Sequence, residues 1–142
     1  MQWDGVDSDS IVIAFDRLSD TLLIHLFGRG QPSVSVPVDR DLYALVDTES
    51  KHIVGIHIEG FLAQAVKEHP DEILLLDHAE LRGITPIEVR ALQRDVLGSW
   101  QSLPGHINAV SAQETPPDKK GAVLLLLHTE HPKWRTLGTS AA

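Results

Sequence analysis

The 142-residue chain predicts an α+β fold: an antiparallel β-meander of about five strands, followed by two or three helices and a final apolar strand. Three observations lead there. Between Ser10 and Glu59, short runs alternate apolar with polar residues and are separated by turns rich in Asp, Ser and Gly, which is the period of half-buried strands. From Gly60 the apolar spacing lengthens towards that of a helix, and helix-capping residues begin to occur. The composition is 42% hydrophobic but only 5% aromatic, so a core of Leu, Ile and Val is available to join the two halves.

The strands follow in order. S-I-V-I-A-F-D (Ser10–Asp16) sets Ile11, Ile13 and Phe15 against Val12, Ala14 and Asp16. D-R-L-S-D then turns, because Asp and Ser side chains bond their own backbone. T-L-L-I-H-L-F places Leu22, Ile24 and Leu26 on one face, with Leu23, His25 and Phe27 on the other. After the break at G-R-G-Q-P, Ser33–Val38 forms a short strand. Its Pro37 lacks a ladder donor and marks an edge or a strand end. L-Y-A-L-V-D is the fourth strand, and T-E-S-K turns the chain into the fifth, H-I-V-G-I-H-I-E.

Helices come next. F-L-A-Q-A-V-K-E-H-P carries Phe61, Leu62, Ala65 and Val66 on one stripe and stops at Pro70. P-D-E-I-L-L-L-D-H-A-E-L-R-G reads as a second helix. Pro70 lies in its first turn, Asp71 and Glu72 sit at the positive end of its dipole, and Gly83 is its C-cap; a strand at Ile73–Leu76 is the alternative. T-P-I-E-V-R-A-L-Q-R-D-V-L-G is the clearest helix. Thr85 is its N-cap, Pro86 its first residue and Glu88 the reciprocal member of a capping box, with an apolar stripe of Ile87, Ala91, Leu92 and Val96. Residues 99–121 are rich in Ser, Pro and Gly and read as a loop or linker. A-V-L-L-L-L-H-T-E is the final buried segment, a strand by its Gly boundary and brevity. In domain terms, residues 1–9 form a flexible arm, 10–69 the sheet with its first helix, and 70–137 a helical extension whose last apolar segment packs on the same core.

Charge and composition remove several function classes. The net charge is −8, of which residues 1–70 carry −6 through 5 Lys/Arg against 11 Asp/Glu. No basic stripe is present to neutralise phosphates, which argues against nucleic acid and anionic membrane surfaces as partners. The chain has no cysteine, so disulfides, thiolate metal sites and cysteine nucleophiles are absent. The start, M-Q-W-D-G-V-D-S-D-S, has no basic and apolar leader pattern, and A-V-L-L-L-L is too short to span a bilayer. These features predict a soluble, cytoplasmic protein.

D-R-L-S-D-T-L-L-I-H-L (Asp16–Leu26), V-P-V-D-R-D-L-Y-A-L-V-D (Val36–Asp47) and I-V-G-I-H-I-E (Ile53–Glu59) together resemble the small bacterial YuzE-like domain of unknown function, over roughly residues 10–62. The family pattern is a D, spacer, D-x-L-x-I-x-L hairpin, then an apolar strand ending in Asp, then I-V-G-I-E-I. The chain departs from it in continuing for about eighty further residues, and in carrying His57 where the pattern has Glu, with the acid shifted to Glu59. The resemblance implies a sheet and brings no reaction. It also implies that Asp16 and Asp20 build a hairpin turn rather than a carboxylate pair for acid–base work.

The candidate metal ligands are His25, His57 and Glu59. His57 and Glu59 are two residues apart in a strand and so share a side; if Ile56 and Ile58 face the core, both face away from it, as His25 does in the second strand. Two imidazoles and a carboxylate suffice for a zinc or iron site with open positions. Against this, a half-exposed sheet has a polar outer face by design, and the second and fifth strands of a simple meander are not neighbours. His128-Thr-Glu-His131 reproduces neither zinc-protease spacing, and Pro132 follows it at once. Asp77-His78 lies where adjacent residues of a helix diverge. No G-x-S-x-G elbow occurs, and G-R-G at Gly28–Gly30 opens no helix. No catalytic residue and no cofactor are therefore assigned.

The expected function is a non-catalytic interaction or oligomerisation module acting as a homodimer, with a further protein partner conceivable for the acidic first half. Leu23 and Phe27 oppose Leu22, Ile24 and Leu26, so both faces of the sheet call for cover. The alternative is a small metal-dependent enzyme using His25, His57 and Glu59.

Overall fold

Strand alternation sets the architecture of the computed structural model, which describes residues 7–29, 32–100 and 119–128. Asp7 caps a single 3-10 turn, Ser8–Ser10, by accepting from the Asp9 N–H. Strands β1 (Val12–Asp16) and β2 (Thr21–His25) each bury every second residue, and β4 (Leu42–Asp47) and β5 (Ile53–Glu59) carry their core residues the same way. β3 (Ser33–Asp39) is exposed along most of its length, and β6 (Ala79–Arg82) closes the far edge. The fold is α+β, with one mixed, mostly antiparallel sheet of order β3-β4-β5-β2-β1-β6.

That order departs from a simple meander. The β3-β4-β5 meander folds back so that β5 pairs with β2, leaving β3 at one edge: a Greek-key arrangement of β2 to β5. The sixth strand comes from the segment expected to be a helix through Gly83. It runs parallel to β1, with Ala79 opposite Ile13 and Arg82 opposite Asp16. The helical extension thus contributes to the sheet itself.

Period-2 side-chain placement puts Ile13, Phe15, Leu22, Ile24, Ala44, Ile56 and Ile58 on one face, all buried. A helical layer covers that face. Phe61–Ala65 is a wide π turn entered through Gly60 at φ +60°, and it continues into the short α1 (Val66–Glu68). Phe61 lies against Phe15 with ring centroids 5.7 Å apart and planes at 59°, a tilted pair suited to aromatic quadrupoles.

Pro70–His78 is a 3-10 helix with Pro70 at its start and Asp71 and Glu72 in its first turn, as expected, and Ile73, Leu74, Leu75 and Leu76 are all buried. The apolar run is too continuous to leave an exposed stripe, so the middle of the tighter helix lies within the core while Asp77 at its end is exposed.

α2 (Pro86–Trp100) begins as the sequence requires: Glu88 N–H donates to Thr85 Oγ1 at 3.2 Å, and the Thr85 hydroxyl donates to Glu88 Oε1 at 3.2 Å. Its buried stripe is shifted from the expected one. Val89 is the deeply buried residue, with Leu92, Val96 and Leu97 packing beside it, while Ile87 is 72% exposed. Leu92 and Val96 keep their places, while Val89, which stands three residues before Leu92, takes the inner position instead of Ile87. Docking makes that choice, since periodicity allows either residue beside Leu92 and Val96.

The last apolar segment is a helix, α3 (Lys119–His128), rather than a strand. Ala122, Val123 and Leu126 bury one side of it beside the 3-10 helix, and Ala and Leu are strong helix formers. The expectations for the first six residues of the arm, for residues 101–118 of the loop or linker, and for His131 and Pro132 fall outside the described residues.

Candidate functional site

The face of the sheet opposite the helices is built from cross-strand rows, and the register fixes each row. One row runs Ser35, Leu45, Gly55, His25, Val12. The next runs Pro37, Tyr43, His57, Leu23, Ala14, Glu80. Glu59, Thr21, Asp16 and Arg82 form the third. This face is half apolar and half polar.

His57 is held on several sides. The Tyr43 ring lies at a centroid distance of 5.1 Å with planes at 34°, Ser35 Oγ is 3.5 Å from Nδ1, and Glu59 Oε1 is 3.6 Å from Nε2. Its side chain is 20% exposed, against 49% for Glu59. Hydroxyl, imidazole and carboxylate therefore stand in line. Both spacings exceed the reach of a working proton relay, about 2.6–3.2 Å.

His25 lies one row away, opposite Gly55, whereas His57 is opposite Leu23, so the two imidazoles are diagonal neighbours on adjacent strands. The expectation that β2 and β5 lie apart is corrected here: they are paired, because the meander returns to β2. All three candidate ligands share a face, as alternation predicted. Convergence is another matter. Burial, and then the Arg29 guanidinium, hold the His25 imidazole below its ordinary value, and Arg29 itself pairs with Glu80. A cation at His25 would meet that guanidinium. Among the described residues no group of three or more His, Asp or Glu is gathered to hold a metal ion.

Gly55, in the middle of this face, has no room for a side chain. A Cβ there would collide with the Ile24 carbonyl oxygen and stand 2.8 Å from Leu45 Cδ1. The Leu45 side chain instead lies across the glycine and is only 7% exposed, although no described element covers that face.

The hairpin carboxylates do structural work. Asp16 Oδ1 accepts from Leu18 N–H at 2.9 Å. Asp20 accepts from Leu62 N–H at 2.8 Å and from Ala63 N–H at 3.0 Å, while its carbonyl accepts from Phe61 N–H at 3.0 Å. It therefore caps the π turn from a hairpin 42 residues earlier. Asp77 accepts from Gln93 Nε2 at 2.9 Å and so ties the 3-10 helix to α2.

The β3 edge carries no reactive side chain but presents unpaired backbone. Thr48 N–H donates to the Pro32 carbonyl at 3.2 Å, which turns the Pro32 peptide oxygen towards β4. Alternation then turns the backbone groups of Val34 and Val36 towards β4 and those of Ser33, Ser35 and Pro37 outwards. Pro37 thus sits where its missing N–H costs the β3–β4 ladder nothing, as its presence in the sequence foretold. The side chains of Val34 and Val36 share the face of Ala44 and Ile56 but remain 51% and 42% exposed, because the helical layer stops short of β3.

Two hollows lie elsewhere. An open one of about 610 Å³ runs along α2 between Ile87, Arg90, Gln93, Arg94 and Leu97. A small one of about 30 Å³ lies among Arg40, Asp41, Gln64, Glu68 and His69. Neither is lined by His25, His57 or Glu59. No described helix is long and apolar enough to cross a membrane. No family model matches the chain, and neither a curated protein nor a solved structure matches it.

Proposed function

We propose that the chain is a non-catalytic interaction and oligomerisation module that acts as a homodimer. One observation carries this reading: the helical layer covers one face of the sheet and ends before β3, so a seven-residue strand remains exposed at the edge with two valines showing. Unpaired strand edges of this kind template pairing with another chain. The partly apolar outer face, with Val12, Ala14, Leu23 and Tyr43 half-buried, adds to the surface available for a partner. The net charge of −8 fits a protein partner better than nucleic acid. The resemblance of residues 10–62 to the YuzE-like domain belongs to the same proposal and supplies a sheet without a reaction. The test is the mass of untagged protein by size exclusion with light scattering. Dimers or higher assemblies at micromolar concentration are expected, and a clean monomer throughout would count against the reading.

A second reading, a metal-dependent enzyme, draws on the placement of His57 beside Glu59. It predicts near-stoichiometric zinc, iron or manganese by plasma mass spectrometry on untagged protein, lost on His57→Ala. Protein that keeps its metal after that substitution, or carries none after purification in metal-supplemented medium, removes this reading.

A further inference from the structure

The two edges of the sheet are defended differently. β6 has four residues and carries Glu80 and Arg82, both exposed, so its edge is short and charged in the manner that prevents pairing. β3 has seven residues, and Ser33–Val38 holds no charged side chain at all. It keeps outward-facing backbone donors at Ser33 and Ser35, outward carbonyls at Ser33, Ser35 and Pro37, and two exposed valines. Two copies of a chain with net charge −8 repel each other over most of their surface. They can meet with least repulsion where charge is absent, and this edge is such a place.

Resting on the interaction-module reading, we infer that β3 pairs antiparallel with β3 of a second copy about a two-fold axis, with Ser35 opposite Ser35 of the other copy. The register follows from the side chains. Strands slipped by one residue would set valine beside serine across the pair. Slips of two residues keep the faces matched but centre either on Val34, which leaves Val36 opposite Pro32, or on Val36, which runs the pairing into the irregularity between Pro37 and Asp39. Ser35 is therefore the centre that sets each Val34 against a Val36. Each Val34 then stands opposite the other copy's Val36 on the helical face, and all four valines gain cover. On the outer face Ser33 stands opposite Pro37.

The backbone agrees with this register. The two Ser35 residues exchange both of their N–H···O=C bonds on the axis. Each Ser33 N–H donates to the carbonyl of the opposing Pro37, whose missing N–H leaves one slot empty per copy. The pairing is isologous and closed, so it ends at two copies. The irregularity between Pro37 and Asp39 limits its length at one end. It joins two six-stranded sheets into one of twelve.

The absence of cysteine supplies the test. Ser35→Cys gives a chain whose one thiol can oxidise only onto another copy. Opposed residues of a hydrogen-bonded antiparallel pair have Cα atoms about 5.5 Å apart, inside the disulfide range of about 4.4–6.8 Å. We expect Ser35→Cys to form a disulfide-linked dimer under mild oxidation, and Glu49→Cys, on the β4–β5 turn, not to do so. Val36→Lys should weaken the dimer at least about 100-fold by light scattering, with unchanged circular dichroism and with the same urea midpoint as wild type when both are diluted to monomers, since it buries a charge against Val34 of the other copy. Val36→Thr, which keeps the shape and strand preference, should leave most of the dimer intact.

A wild-type dimer in which Ser35→Cys fails to cross-link and Val36→Lys stays dimeric overturns the β3 pairing and leaves the oligomerisation reading standing. A wild-type monomer overturns both.

Discussion

Asp20 offers the most informative perturbation of the fold, because three substitutions separate two energies at one position. Its carboxylate accepts from the Leu62 and Ala63 N–H groups at 2.8 and 3.0 Å, and its backbone is left-handed at φ +52°. Removing a capping side chain costs about 0.5–2 kcal/mol. A Cβ in the left-handed region costs roughly 1–2 kcal/mol more for a residue without a short polar side chain. Asp20→Asn keeps a residue that tolerates this backbone but only one of the two acceptor oxygens, and sets its amide nitrogen against the second N–H, so it should lose about 1 kcal/mol. Asp20→Gly loses the cap but sheds the backbone strain, and about 1 kcal/mol is expected. Asp20→Ala loses the cap and keeps the strain, giving about 2–3 kcal/mol. The assay is urea unfolding followed by circular dichroism, with a common slope so that midpoints convert to free energies. Equal losses for Ala and Gly would refute the strain argument. An Ala variant within about 0.5 kcal/mol of wild type, the ordinary scatter of a surface substitution, would refute the cap as well.

The remaining tests probe the outer face. Gly55→Ala should destabilise by about 1–3 kcal/mol, towards the upper end because one obstacle is the Ile24 backbone carbonyl rather than a yielding side chain. Adding Leu45→Ala should then fail to rescue it, and a rescued double variant would show that the leucine alone was in the way. His25 gives a pH dependence. Its folded-state value lies below the unfolded one near about 6.5, so its contribution is present above that pH and is lost as pH falls through and below it. His25→Gln should flatten the fall in unfolding free energy below about pH 6.5, and an unchanged slope would count against the desolvation of this imidazole.

Much of this was legible because the relevant rules are local. Period-2 alternation alone places Leu22, Ile24 and Ile58 inside and His25, His57 and Glu59 outside, since neighbours in a strand point to opposite faces. Thr85 and Glu88 announced their helix for the same reason: a capping box spans one turn. Strand order was not local. Nothing between Asp16 and Glu59 says that β5 lies beside β2; that is decided by which apolar faces fit together after the chain has turned back. The leucine run at residues 124–127 was misread as a strand because a run without polar breaks has no period. Its class was settled by the seat that Ala122, Val123 and Leu126 take beside the 3-10 helix. Ile87 and Val89 are alternative members of the α2 stripe, and only docking could choose the second. The shape of the candidate site was half legible: alternation gave the shared face of the three ligands, while the diagonal offset and the Arg29 guanidinium needed the register.

The two functional readings are physically independent. With β3 paired about Ser35, each His57 stands two strands from β3, and five inter-strand steps separate the two imidazole clusters. At about 4.8 Å per step that is on the order of 24 Å, far beyond the span of a shared metal ion. Dimerisation therefore cannot complete a His57–Glu59 site by supplying ligands from the second copy. It touches the cluster only through Ser35, whose hydroxyl reaches towards Nδ1 while its backbone lies on the axis. Ser35→Ala keeps the outward N–H and C=O and removes the hydroxyl. If the edge pairs as inferred, that variant remains a dimer, and any change in metal retention must then come from the imidazole alone. A dimer lost on Ser35→Ala would mean that association depends on the side-chain cluster rather than on the backbone of β3.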